Sequence, residues 1–241
     1  MSTDVAFRLV ALNARGGGGR RAASIAAALA AHAPDVVVIG EAYPDGPKGQ
    51  RLRDALAEVG LHEQAVAASD SPDVPNGVLL ASRRPLAEAR QPLAAGPNRQ
   101  RILEARVDGL LISAAYFPLG RPKVAFWRDE FLPYAASRLD EAVVMAGDWN
   151  SGSHYLDERG ATLYAAAEFA SLAASGWHDA WRSLHADGRE YSWYSNRGNG
   201  FRLDHAFVSP TLCPRLLGAR YDHTTRETKV SDHSALVVEL G

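Results

Sequence analysis

Short apolar runs that stop at a polar, chemically capable residue constrain this chain more than any other feature. Residues 5–12 end at Asn13, 36–39 run into Gly40-Glu41, 110–115 end at Tyr116, and 142–146 run into Gly147-Asp148. Their length and β-branched content predict buried strands. Helical spacing fills the intervals 20–33, 50–59, 122–139 and 158–175. From residue 77 to 107 the pattern is strand after strand without a helix, and 201–208 and 215–240 again read as strands. This alternation is too irregular for a purely doubly wound sheet. It predicts an α/β fold with a mixed sheet, or two sheets packed face to face and covered by helices.

The 241 residues are 46% hydrophobic and 22% charged, enough apolar material for a sizeable core. No Pro-, Gly- or Ser-rich linker divides them, so residues 1–241 are expected to form a single domain. One cysteine, Cys213, excludes a disulfide scaffold and a cysteine-rich zinc module. No apolar run approaches the roughly 20 residues that span a bilayer. Met1-Ser2-Thr3-Asp4 lacks a basic leader region, so a cytoplasmic protein with no membrane partner is expected. The net charge of −2 gives no global field toward nucleic acid. The loop from Gly16 to Gly19 lacks the Lys-Ser/Thr of a P-loop and reads as a flexible connection.

The chemistry gathers where strands stop. Asp148 and Asn150, two apart, share one face of an extended segment. Asn13 and Glu41 stand at strand C-termini; Asp204 and the pair Asp232-His233 stand at strand N-termini. In a mixed sheet both kinds of end can meet at one edge. Glu41, Asp148, Asp204 and Asp232 converging there would repel one another, and a divalent cation would relieve the repulsion. Oxygen donors without a thiolate favour Mg²⁺, or Mn²⁺, over Zn²⁺. Taken singly, an Asp or Asn after a strand is an ordinary turn residue. Ser231-Asp232-His233 does not read as a contiguous protease triad, because alternation turns Asp232 away from its neighbours.

In their order, Leu12-Asn13, Gly40-Glu41, Tyr116-Phe117-Pro118, Gly147-Asp148-Trp149-Asn150, Arg202-Leu203-Asp204 and Ser231-Asp232-His233 resemble the endonuclease/exonuclease/phosphatase superfamily. Asp179-Ala180-Trp181-Arg182, Tyr191-Ser192-Trp193-Tyr194 and Gly200-Phe201 place the resemblance nearest the exonuclease III and abasic-site endonuclease branch. The resemblance implies a four-layer α/β sandwich with two packed mixed β-sheets flanked by helices. It implies a Mg²⁺-dependent phosphodiesterase, most readily a DNA nuclease working as a monomer without an obligate protein partner. Carried across, Asn13 and Glu41 would hold the metal with Asp232 near it. Asp148 would orient or deprotonate the attacking water, and Asn150 would contact the scissile phosphate. Asp204 would steady His233 against that phosphate, and Tyr116 would donate to a phosphate oxygen or assist the leaving group. Arg15 and Arg101 would contact phosphate, and Phe201 would wall the sugar.

The chain departs from the branch at four places. Arg15 stands where an acid or amide is usual near the metal, Gly40 precedes Glu41 where Gln is usual, Leu119 stands where an Asn would bind phosphate, and the segment 196–200 is short. Two other readings stay open at this level: a phosphodiesterase or phosphatase of a small phosphorylated or lipid substrate, and a non-catalytic binding protein that kept the fold.

Overall fold

The structure, a computed structural model, describes residues 5–70 and 73–241. The leader reading at Met1–Asp4 therefore lies outside the described residues. The chain starts with β1 (Phe7–Asn13), α1 (Ala22–Ala30), β2 (Val36–Ala42), α2 (Gly46–Glu58), β3 (Glu63–Val66) and β4 (Gly77–Ser82). It continues through β5 (Ala87–Arg90), β6 (Ile102–Val107) and β7 (Leu110–Tyr116). A helical stretch follows, with α3 (Pro122–Ala125), a π-helical insert (Phe126–Phe131) and α4 (Leu132–Ala136), and leads to β8 (Val143–Asp148). Then come α5 (Ala166–Ala174), β9 (His178–Asp179), α6 (Ala180–Leu184) and the hairpin β10 (Trp193–Tyr194) and β11 (Gly200–Phe201). The chain closes with β12 (Asp204–Val208), β13 (Leu216–Asp222), α7 (Thr224–Glu227) and β14 (Ala235–Leu240).

Two six-stranded sheets result, in the orders β13-β14-β1-β2-β4-β3 and β5-β6-β7-β8-β12-β9. Each is mixed: β1–β2 and β7–β8 are parallel, and their other neighbours are antiparallel. The central strands read as near-continuous apolar runs because both faces of each sheet are covered there, while the edge strands β3, β5 and β13 are more polar and more exposed. Leu9, Ala11, Val38, Leu80, Ile112, Ala146 and Leu236 fill the space between the sheets. Ile25, Leu29, Leu52 and Leu56 of α1 and α2 pack on the outer face of the first sheet. Phe126, Trp127, Phe131, Phe169 and Leu172 cover the second. The expected four-layer α/β sandwich is thus the observed one.

Two expected helices are shorter than their pattern. The 122–139 pattern is helical only to Ala136 and carries the π insert. Pro133 contributes no N–H to the helix ladder, and an irregular turn takes up the mismatch. The 158–175 pattern is helical only from Ala166. The Glu158 carboxylate, buried, accepts from the backbone N–H of Thr162 (2.7 Å) and of Leu163 (2.9 Å). Those amides are therefore tied into a loop rather than a helix, which side-chain bonding of this kind routinely achieves.

Candidate active site

The parallel pairs aim four side chains at one place. Asn13, Glu41, Tyr116 and Asp148 lie at or next to the C-terminal ends of β1, β2, β7 and β8. Asp204 opens β12 directly opposite Asp148 in the antiparallel register. Ser231-Asp232-His233 leads into β14, and the Ser231 hydroxyl donates to the Asn13 carbonyl (2.6 Å), pinning this segment to the end of β1.

Two local backbone devices set the aim. Glu41 has φ 56° and sits in a β-bulge between Gly40 and Ala42. A bulge re-aims a side chain, and a left-handed φ on Glu is held only where the surroundings over-determine it. Here the Gly16 N–H donates to Glu41 Oε2 (2.6 Å). Gly16 to Gly19 all have positive φ, so the glycine run is a shaped turn that grips Glu41. Arg21 holds that turn through the carbonyls of Ala14 and Arg15. The second device is Gly147, at φ 144°, where any Cβ would run into the Ala115 carbonyl oxygen. Gly147→Ala should therefore push Asp148 out of register and destabilise the fold by about 1–3 kcal/mol. A urea titration beside a turnover assay checks both effects.

Asn13 links the two halves of the site. Its Nδ2 donates to Glu41 Oε1 (3.1 Å) and to Asp148 Oδ2 (2.9 Å), while its Oδ1 accepts from the Arg15 N–H (2.8 Å). It thus turns its amide hydrogens, not its oxygen, toward the carboxylates. Asp148 Oδ1 accepts from the Asn150 N–H (3.0 Å). Burial raises the Asp148 carboxyl above the usual range; His233 and the bond from Asn13 oppose the rise, and Asp204 adds to it. His233 Nδ1 meets Asp204 Oδ2 at 2.7 Å. Burial disfavours the imidazolium, yet the Asp204 carboxylate outweighs it and His233 is held charged well above its ordinary range. With Nδ1 engaged, Nε2 is the nitrogen left to the pocket. Asp204 is itself placed by Ser192, whose hydroxyl accepts from the N–H of Leu203 (3.0 Å) and of Asp204 (3.2 Å).

Burial, and the carboxylates of Glu41 and Asp148, push the Tyr116 phenol up, so it remains a proton donor. Its OH lies 3.4 Å from Glu41 Oε1. Arg101 is buried with its guanidinium 4.9 Å from the Tyr116 ring centroid, so it backs Tyr116 from behind rather than lining the pocket. Arg15 is exposed at the rim, 3.8 Å from Asp232 Oδ2. Phe201 does line the pocket, together with Trp193 and Leu203. This cavity of about 340 Å³ has Glu41, Asp148, Asn150, Asp232 and His233 on its polar side.

Sequence reasoning missed several residues here. Lys123, Trp193, Leu203 and Tyr164 line the cavity. Trp193 and Leu203 lay inside the quoted motifs, and Lys123 stood out as one of three lysines in an Arg-rich chain, but none of them was assigned a place in the pocket. Nor did it foresee the gripping role of the glycine run.

The donor set suits a hard divalent cation. Asp148, Asp204 and His233 bring ligand atoms within 4.8 Å of one another, but a charged His233 bonded to Asp204 has no lone pair to give, so the carboxylates of Glu41, Asp148 and Asp232 on the pocket lining are the donors open to a cation. Asp204 Oδ1 and Asp232 Oδ1 are buried without a hydrogen-bond donor. Buried carboxylate oxygens left without a partner are costly unless a cation or ligand completes them.

Carboxylates, an Asp–His pair and a protonated phenol around one pocket form the equipment of an enzyme that neutralises an anionic ester and brings water to it. The family model described as Endonuclease/Exonuclease/phosphatase family matches residues 10–233, and the chain belongs to that family of hydrolases of phosphate ester bonds. No curated protein matched the chain. Three of the solved structures that share the fold illustrate the likeness. An AP endonuclease from Archaeoglobus fulgidus superposes with TM-score 0.82 at 20% identity, covering 97% of this chain and 99% of its own. The 3′ phosphatase NExo from Neisseria, bound to a product DNA hairpin, gives 0.81 at 21% identity, covering 98% and 100%. The 3′-5′ exonuclease NExo from Neisseria meningitidis gives 0.79 at 21% identity, covering 97% and 99%. No helix among the described residues is long and apolar enough to cross a membrane.

Proposed function

We propose that residues 1–241 act as one domain, a Mg²⁺-dependent phosphodiesterase on DNA, with Mn²⁺ as a substitute metal. The activity is that of an exonuclease III-like 3′–5′ exonuclease or endonuclease. The observation that carries this reading is the convergence of Glu41, Asp148, Asp232 and the Asp204–His233 pair on one pocket. Glu41 and Asp232 would hold the metal, with Asn13 locking Glu41 in place. When bound, the metal supplies charge neutralisation and polarisation of the phosphate.

The chain's own groups do the rest. Asp148, held by Asn13 and Asn150, accepts a proton from the attacking water, and its raised proton affinity suits a base. His233, kept cationic by Asp204, donates through Nε2 to a non-bridging oxygen, whose charge grows as water attacks in line. Tyr116 donates to phosphate or to the departing oxygen. Asn150 Nδ2 donates to the Phe117 carbonyl (3.0 Å) and lies 3.4 Å from Asp148 Oδ2, so in this arrangement Asn150 steadies Asp148 and would reach the scissile phosphate only by giving up the Phe117 bond.

The substrate's shape follows from the hairpin. Ser195 to Asn199 form a tight turn closed by the Ser195 N–H to the Asn199 carbonyl (2.8 Å), too short to reach deep into a groove. Extruding a nucleotide from intact duplex needs protein to fill the gap it leaves. Ends and nicks, already unstacked, fit better. The DNA hairpin bound by the Neisseria 3′ phosphatase is support of the same kind.

The test is one gel. Labelled duplexes with a recessed end, a nick or an abasic site are incubated with Mg²⁺ or with EDTA. Shortening at ends and nicks in Mg²⁺, with at least a hundredfold less in EDTA, is expected. Equal cleavage in EDTA would sink the metal reading. Intact DNA beside rapid hydrolysis of a small phosphodiester would turn the reading to a small-substrate enzyme.

A further inference from the structure

We propose that Lys123 is an anion-binding residue of the pocket, its buried ammonium held beside Asn150 to receive a phosphate oxygen of the substrate. The proposal rests on the phosphodiesterase reading for the identity of that anion.

Lys123 is 3% exposed and lines the pocket. An ammonium carries three donors. Among the described residues this one finds a single acceptor, the Asn150 carbonyl, and no carboxylate within ion-pair distance. Asp148 is the one acidic group near enough to be felt. Burial therefore weakens the hold on the proton, lowering Lys123 to about 8 against the pull of Asp148. A buried cation with donors to spare is costly unless something completes it. Met would fill the same space without that cost, so the charge has to be answered from the pocket side.

The pocket supplies a reason. Its polar side is acidic, and an acidic floor repels a phosphodiester. Two other lining residues do not help: Leu119, 68% exposed, has no polar side-chain atom, and Asn150 is neutral. Lys123 thus offers positive charge next to Asn150 in the same pocket that His233 lines. A phosphate seated in that pocket meets both cations.

The bland alternative is that Lys123 props the Asn150 carbonyl, whose residue has the left-handed φ of 49°. A prop and an anion contact differ in what they move. A prop affects turnover; an anion contact affects ligand affinity and its salt dependence. Calorimetric titration of inorganic phosphate into the full-length protein separates them, in parallel with Mg²⁺ and with EDTA. Lys123→Met is expected to weaken phosphate binding about tenfold to a hundredfold in both arms, the loss typical of a charge-assisted hydrogen bond. Lys123→Arg, which keeps the charge and donors, should stay within a few-fold of the parent and shows that the site tolerates substitution. The slope of log KM for DNA against log salt should also shrink by about one contact in Lys123→Met.

Phosphate affinity unchanged in Lys123→Met overturns the proposal, as does a parent protein that binds no phosphate in either arm. Equal losses in the Met and Arg variants overturn it too, because they would point to the prop. If phosphate binds through Lys123 but no DNA is cleaved, the nuclease reading fails and this one stands. If DNA is cleaved while Lys123→Met binds phosphate normally, the reverse holds.

Discussion

Asp148→Asn should lower turnover about a thousandfold or more while leaving the protein folded, the size of loss expected when a positioned proton acceptor is removed. The geometry makes the neutral isostere a poor substitute. One Asp148 oxygen accepts from Asn13 and the other from the Asn150 N–H. An amide NH₂ in either place would face a donor. Stability should change far less. The folded protein holds a proton on Asp148 more tightly than the unfolded chain does. Its ionised form therefore costs stability, and the cost grows as pH rises above the ordinary carboxylate range, near 4. Asn removes that cost but turns a donor toward Asn13 or Asn150, so the two effects offset and at pH 8 in EDTA the variant should melt close to the parent. His233→Ala should lose turnover on a similar scale. A folded Asp148→Asn protein that hydrolyses DNA at near the parent rate would refute the assignment.

The second large effect lies behind the site. Arg202, fully buried, donates to Asp157 Oδ1 (2.7 Å) and forks onto both oxygens of Asp179 (3.1 and 2.6 Å). Its guanidinium also packs 5.2 Å from the Trp181 ring centroid. Arg202→Met should cost about 3–5 kcal/mol, because it removes the guanidinium two buried carboxylates share, leaving Asp157 to Arg182 and Asp179 to the Arg182 N–H and His205. Denaturant unfolding reads the loss directly. The same network gives the fold an acid limit. Burial alone would raise Asp157 and Asp179, but Arg202 outweighs it and both sit below the usual range. For carboxyls depressed in this way, the stability is complete above the unfolded value near 4 and drains away as pH falls toward the folded values. Arg202→Met should therefore show a much shallower loss of stability on acidification. Because Arg202 stands two residues before Asp204, partial unfolding here should also cost activity.

How far the sequence revealed this arrangement depends on the kind of contact. Asn13, Glu41, Asp148, Asp204 and His233 were legible because each sits at the end of a short apolar run, and strand ends that share an edge converge. The strands that follow each other without helices between residues 77 and 107 made a mixed sheet or two packed sheets legible, and the four-layer sandwich itself came from the family resemblance. What stayed hidden depends on pairs far apart in the chain or on single φ values. Nothing in Gly16 announces that it will grip Glu41, and nothing in Arg202 announces Asp157, 45 positions away. Glu158 shows the same limit from the other side: its helical neighbourhood was overridden by two backbone bonds its own carboxylate makes. Arg101 read as a phosphate contact because Arg suits phosphate; its place behind the Tyr116 ring follows from packing that no local pattern encodes.

The path of the chain through the site carries a consequence for the protein's birth. β1 lies between β2 and β14, and Asn13 is joined by Ser231 across 218 residues. A ribosome that has released the first sheet strands and the whole second sheet has still not delivered Asp232 or His233. The pocket therefore cannot be completed until every strand but β14 has emerged, and β14, pairing between β13 and β1, follows directly on the residues that complete it. Pairings of such long reach form slowly. The interval between synthesis and competence is thus built into the order of the strands.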